Sequence, residues 1–191
     1  MRLILASASP RRAELLTAAG FTFTVAPAGV DETARPGEEP ALYALRVARD
    51  KASAAAAHGA GGEVVLAADT VVVVEGGILG KPRDRDDAGR MLEALSGRSH
   101  EVLTAVVLRD RASERSEVVT TRVHVTALNA AELSWYLGTG EWEGKAGGYA
   151  IQGIAARYIE RIEGSWSNVV GLPIATVHRL VKGAGGDVIE M

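Results

Sequence analysis

Apolar residues in this chain follow two rhythms that alternate from one end to the other. A short continuous run, LIL at 3–5, has the pattern of a strand buried on both faces, and 63–74 (EVVLAADTVVVV) reads as a longer strand. FTFTV at 21–25 alternates instead, as a strand does when one face is solvated. Between these lie segments with helical punctuation. One spans about 10–19, opened by Pro10 and stopped by Gly20. An alanine-rich one spans about 40–58, with Leu42, Leu45, Ala48 and Ala52 on one face and a glycine stop at 59–62. A third, begun by Asp84 and Asp87, ends near Leu95 with Gly97 beyond it. A fourth at 130–138 carries Asn129 and Glu132 as a capping pair, and a last runs from near Pro173 to near Lys182. A turn at Glu75, Gly76 and Gly77 leads to the short return Ile78–Leu79, while 100–109, 117–127 and 154–162 read as strands. Strands and helices interleave, which predicts an α/β fold: a single domain over 1–191 with a mixed sheet flanked by helices. The stretch 27–40, rich in Pro, Gly and Glu, reads as a functional loop within that domain.

Composition narrows the chemistry. With 47% apolar and 24% charged residues, the chain has the make-up of a soluble globular protein. The formal charge of −3 argues against a nucleic-acid-coating protein. Zero cysteines exclude disulfides, thiolate catalysis and cysteine-ligated zinc. His58, His100, His124 and His178 show no metal-ligand spacing, so surface or helix-end positions are expected for them. The longest apolar candidate for a membrane span, 64–74, is too short and holds Asp69 in its middle. With no signal peptide ahead of the first strand, a cytoplasmic protein is expected.

The residues that carry chemistry stand at the joints of these elements. In SASPRR, small residues precede a helix N-terminus, whose free N–H groups and dipole attract an anion. Arg11 and Arg12 oppose that dipole, so they are either phosphate ligands or two solvated surface residues. Asp69 is the sharpest single residue: a carboxylate among valines must end a strand, pair with a cation, bind a metal or satisfy a turn. Glu32 lies on the long loop, Lys51 on the second helix, and Lys81 between a glycine and a proline; each is either a site residue or an ordinary exposed charge. Gln152, in the glycine-rich GGYAIQG, offers a donor and an acceptor suited to a pyrimidine edge, or else lies in a surface turn. Ser167 and Asn168 are candidate caps or supports.

Taken in order, SASPRRAELL, VDE, the lysine of ARDKA, LAADTVV, LGKPRD, LSGRSHEV, GYAIQG and SNVVGLP resemble the Maf family of nucleotide pyrophosphatases, from Leu3 to about Val177. The resemblance implies a Maf/ITPase-like domain with an elongated mixed sheet and a central nucleotide-binding cleft, assembled as a homodimer. It implies hydrolysis of a nucleoside triphosphate to monophosphate and pyrophosphate with a divalent metal, Mg²⁺ foremost and Mn²⁺ or Co²⁺ as alternatives. Neither a membrane nor a nucleic-acid partner is implied. Ser7, Arg11, Lys51 and Lys81 match phosphate-contacting positions, and Glu32 and Asp69 match the acidic positions, as metal ligands and with Asp69 as proton acceptor. Arg12, Thr70 and Gln152 match the positions that separate the family's branches and resemble the branch acting on dTTP and UTP rather than 7-methyl-GTP. Trp166 departs from the tyrosine more usual there. Because the family is named for an effect on septum formation, a nucleotide-binding regulator of cell division that needs no turnover is the alternative reading.

Overall fold

The structure is a computed structural model that describes residues 2–57 and 62–185. His58, most of the predicted glycine stop and the end of the tail lie outside the described residues. The chain runs β1 (Arg2–Leu5), α1 (Pro10–Ala18), β2 (Phe23–Val25), α2 (Pro40–Ala57), β3 (Glu63–Val74), β4 (Gly77–Leu79), α3 (Arg85–Leu95), β5 (Ser99–Arg109), β6 (Glu114–Val125), α4 (Ala130–Gly138), β7 (Ile159–Glu163), α5 (Trp166–Val170) and α6 (Ile174–Gly183). The seven strands form one sheet in the order β2-β1-β3-β5-β6-β7, with β4 on β3. β1 pairs in parallel with β2 and β3, whereas β4 on β3 and β7 on β6 are antiparallel. The predicted α/β class and mixed sheet are those observed. Among the described residues no helix is long and apolar enough to cross a membrane.

The chain forms two compact units. One comprises the chain up to Asp69, residues 104–119 and the segment from Gly171; the other comprises 70–103 and 120–170. In the first unit β1 lies between β2 and β3, and both its faces are withdrawn from solvent, with Leu3 and Leu5 buried and Ile4 between them partly so, which matches its continuous apolar run. Leu16 of α1 and Val177, Leu180 and Val181 of α6 complete this core. Helix α1 ends in a Schellman motif, with Gly20 at φ 77°, its N–H on Thr17 O and the Phe21 N–H on Leu16 O. That motif consumes Phe21, so β2 begins two residues later than the alternation of FTFTV suggested. Helix α2 is where predicted, but its buried face is rotated: Tyr43, Val47, Lys51 and Ala55 point inward with Ala44, Ala48 and Ala52, while Leu42 is 61% exposed. Alanines bind no face strongly, so Tyr43 and Lys51, which have polar partners inside, set the rotation. Strand β6 starts at Glu114 rather than 117, because Asp110 folds the charged segment into a tight turn. Its Oδ1 accepts the N–H groups of Ala112 and Ser113 at 2.7 Å each.

In the second unit Val72, Leu92, Leu95, Val102, Val123, Tyr136 and Tyr158 pack together. The hairpin β3–β4 turns at Glu75 and Gly76, both with positive φ (50° and 79°), as a two-residue turn requires. Asp84 caps α3 through the Asp87 N–H, and Asn129 with Glu132 forms a full capping box on α4. The predicted strand 154–162 is corrected: Ile154–Tyr158 is a 3-10 helix and only Ile159–Glu163 is strand. The cause lies outside the segment, in the Glu141 carboxylate that accepts the N–H groups of Ile154 and Ala155.

Candidate functional site

The first unit gathers the charged residues. After β1 the chain leaves the sheet beside β3, with Ala6 N–H donating to Leu66 O at 2.8 Å, and enters α1 at Pro10. The α1 N-terminus has no side-chain cap and no acidic residue in its first turn, so its positive end is uncompensated from within the helix. Arg11 is half-buried there, and its Nε is buried with no hydrogen-bond partner. Burial lowers the Arg11 pKa from its ordinary value, opposed by Glu14. An orphaned guanidinium N–H beside an open helix end is an arrangement that an oxyanion completes.

Arg12 has a different environment. It is 8% exposed, and its guanidinium joins three parts of the chain: Nε donates to Gly171 O at 2.8 Å, and Nη1 to Ala68 O at 2.8 Å and Ser7 Oγ at 3.1 Å. Ser7 is thereby held, through Arg12, against the middle of β3 at Ala68, one residue from Asp69. Burial lowers the Arg12 pKa, with Asp69 opposing it.

Asp69 lies within β3 and is 6% exposed. Of the readings open to it, the structure realises the cation pair: Lys51 Nζ donates to Asp69 Oδ1 at 2.8 Å. The same ammonium lies 2.7 Å from Glu32 Oε1. One buried lysine therefore draws together a strand carboxylate and a loop carboxylate. Burial raises the Asp69 pKa above the usual range, and Lys51 opposes the rise. Glu32, whose side chain is 42% exposed, connects this pair to solvent.

Its loop is held to α2 by residues that sequence reasoning missed. Tyr43 Oη donates to Glu32 O at 2.7 Å, and burial together with the nearby Asp69 and Glu32 charges pushes the phenol up to about 12. Arg46 grips Glu38 with two nitrogens, at 2.7 and 2.8 Å, and reaches Thr33 O at 3.1 Å. Tyr43, Val47 and Lys51 share one face at four-residue spacing, and that spacing was the available signal.

The second unit carries Thr70, Lys81 and Gln152. Thr70 is partly buried in β3, while Lys81 and Gln152 are exposed. The residue before Lys81 is tied to the glycine-rich segment, because Gly147 N–H donates to Gly80 O at 3.0 Å. Gly147 has φ 68° and a Cβ there would press on Val72 at 3.1 Å, so this approach requires glycine. Asn168 is fully buried and donates to Val102 O and Thr121 Oγ1, a support between segments rather than a helix cap.

His100 corrects an expectation. Placed by sequence at a surface or helix end, it is 3% exposed, with Nε2 at 2.7 Å from Tyr149 Oη and the rings edge-to-face. Its Nδ1 is buried without a partner, an environment suited to a neutral ring. Burial, with the His124 charge second, pushes its pKa from 6.5 down to about 4. Between these values the unfolded chain binds the proton and the folded chain does not, so stability falls on acidification from pH 6.5 to about 4. The full shift is worth roughly 3 kcal/mol. Calorimetric Tm values across this window should fall, and fall less steeply for His100→Gln; equal slopes would show that another group is responsible.

The mixed sheet, with helices joining its strands, places the protein in the α/β class. Solved structures of the Ham1 protein of Staphylococcus aureus (TM-score 0.52, 13% identity, 96% of this chain and 100% of that one) and of a HAM1 protein of Coxiella burnetii (0.51, 15%, 97% and 98%) share the fold. The profile described as Maf-like protein matches residues 2–184, and the chain belongs to that family. The dTTP/UTP pyrophosphatase of Anaeromyxobacter dehalogenans is 54% identical over 188 residues, 96% of this chain and 94% of the relative. Those of Syntrophomonas wolfei (48% identical; 97% of this chain and 99% of the relative) and Bordetella parapertussis (50%; 96% and 93%) are likewise similar to this chain over nearly its whole length.

Proposed function

We propose that the protein hydrolyses dTTP and UTP to the monophosphate and pyrophosphate, clearing them or modified pyrimidine relatives from the nucleotide pool. The observation that carries this reading is Asp69, a strand carboxylate buried beside Lys51 and one residue from the carbonyl that Arg12 braces. A protein that only held nucleotide would need the cations and not this acid. The relatives' activity supports the substrate class.

The chemistry assigns each residue a task. The attacking water forms a bond to the α-phosphorus, the bond from that phosphorus to the bridging oxygen breaks, and pyrophosphate leaves. The water's proton passes to Asp69, whose raised pKa makes it a better acceptor than an exposed aspartate. The Arg11 guanidinium and the α1 N-terminus hold phosphate oxygens with Ser7, and Lys51 and Lys81 neutralise the charge that spreads over them. Arg12 serves selection through the loop that it fixes, and Thr70 and Gln152 meet the base.

Among the described residues no group of three or more His, Cys, Asp or Glu is placed to hold a metal. Mg²⁺ needs fewer, and the hard oxygens of Glu32 and Asp69, both within 2.8 Å of one ammonium, fit it. Bound there, a divalent cation would neutralise phosphate charge and acidify a water. The same reading carries a cytoplasmic homodimer with no nucleic-acid or membrane partner.

Steady-state release of pyrophosphate from dTTP, UTP, CTP and 7-methyl-GTP tests the reading. The first two should give the highest kcat/KM, with turnover lost on chelation and restored by Mg²⁺. Finding dTTP and UTP among the poorest substrates would overturn it.

A further inference from the structure

Glu32 can serve a site only while its loop is held, and the loop has little with which to hold itself. None of residues 27–39 is buried, and none lies in a strand or helix. Apolar packing therefore contributes little to the order of this segment, whereas fixing each of its residues costs conformational entropy.

One face of α2 supplies the missing restraint. Tyr43 Oη donates to Glu32 O at 2.7 Å, and Lys51 Nζ lies 2.7 Å from Glu32 Oε1, so the helix takes this residue at its carbonyl and at its carboxylate. A carboxylate presents equivalent oxygens whichever way its last torsion turns, so holding both ends of Glu32 places its acceptor atoms. The next carbonyl, Thr33 O, accepts from Arg46 Nη2 at 3.1 Å, and Asp31 Oδ1 accepts the Thr33 N–H at 2.9 Å. Farther along, Glu38 receives the Arg46 fork on both oxygens, and its Oε2 also accepts the Arg35 N–H at 3.1 Å. The Arg46 and Glu38 side chains are 17% and 10% exposed, which separates this pair from the solvated ion pairs that contribute little. Arg46 is itself steadied: its guanidinium carbon lies 5.4 Å from the Tyr43 ring centroid, and Nη1 lies 3.7 Å from Asp50 Oδ2. Tyr43, Arg46 and Glu38 have no task in the proposed chemistry, yet their contacts converge on Glu32 and its neighbour.

We propose that Tyr43, Arg46 and Glu38 are positioning residues, a latch between α2 and the 27–39 loop that holds the Glu32 carboxylate beside Asp69. The inference rests on the reading in which Glu32 and Asp69 serve one site. Tyr43→Phe keeps the ring beside Arg46 and removes only the hydroxyl, whereas Arg46→Gln removes the fork.

The test uses wild type, these two variants, Glu32→Gln and the double variant Arg46→Gln/Glu32→Gln. Three quantities are measured: kcat/KM for dTTP at subsaturating Mg²⁺, the Mg²⁺ concentration giving half-maximal rate, and hydrogen exchange of the 31–38 backbone amides without nucleotide or metal. Tyr43→Phe should lower kcat/KM by about fivefold, the worth of one hydrogen bond, and Arg46→Gln by about thirtyfold, since bonds to charged groups are worth more. Both should raise the Mg²⁺ requirement, because a site assembled for part of the time binds in proportion to that fraction. Both should also speed exchange in the loop. In the double variant, Arg46→Gln should add no more than about twofold to the loss caused by Glu32→Gln, since a latch acting through Glu32 then has nothing to place. Faster exchange with kcat/KM unchanged, or lost kcat/KM without faster exchange, would overturn the latch. So would a full loss from Arg46→Gln in the Glu32→Gln background, which would show that Arg46 acts by another route. A Glu32→Gln variant with wild-type kcat/KM would instead remove Glu32 from the site, and the latch with it. If Arg46→Gln does not fold, Tyr43→Phe and its double variant with Glu32→Gln decide by the same three quantities.

Discussion

Asp69→Asn should lower kcat for dTTP hydrolysis by about a thousandfold or more, while the variant folds and still binds nucleotide. Replacing the carboxylate by its isosteric amide retains an oxygen that can accept from Lys51 Nζ, now 2.8 Å from Oδ1, and removes a charge whose burial is unfavourable. What disappears is the ability to take a proton, and general-base catalysis is worth about 10² to 10⁴ in rate. The phosphate-holding parts, the α1 N-terminus and Arg11, are untouched. In the wild type the acid limb of the pH–rate profile should lie above the ordinary aspartate range, because burial raises this carboxylate. Pyrophosphate release and calorimetric titration with dTTP separate the two effects. Undiminished turnover would remove Asp69 from the chemistry. The same variant tests the alternative of a division regulator: a cellular effect that persists without turnover would belong to binding alone.

What was legible in the sequence was what the sequence encodes locally. Asp84, Asn129 with Glu132, and Glu75–Gly76 fix the ends of α3, α4 and the β3–β4 turn through partners within a few residues. The 3-10 helix at Ile154–Tyr158 was not legible, because its organising carboxylate lies thirteen residues upstream of Ile154. Nor was the face of α2, where alanines carry no strong preference and the decision falls to Tyr43 and Lys51. In the candidate site the residue identities could be read, since Asp69 among valines and Arg11 at a helix start are conspicuous wherever they occur. The bracing by Arg12 could not. Two of its acceptors are the backbone carbonyls of Ala68 and Gly171, and a carbonyl leaves no trace in residue type.

Lys51→Met should cost about 3 kcal/mol of stability and abolish turnover. Removing one partner of a buried pair leaves the other charge uncompensated, at about 3–5 kcal/mol. The lower end applies because Arg12 still exerts a favourable field on Asp69. A second substitution then separates structure from function. In Lys51→Met/Asp69→Leu both charges are gone, and apolar side chains of similar volume fill a site where Asp69 and Lys51 are 6% and 8% exposed. Replacing a buried ion pair in this way is often neutral or stabilising, so the double variant should regain most of the lost stability in denaturant titration while remaining inactive. A double variant as unstable as Lys51→Met would make the pair a structural requirement of the α2–β3 packing. Recovered stability without activity would mean that folding tolerates the pair rather than requires it. Its retention at the centre of the first unit would then follow from what the carboxylates do to phosphate and water.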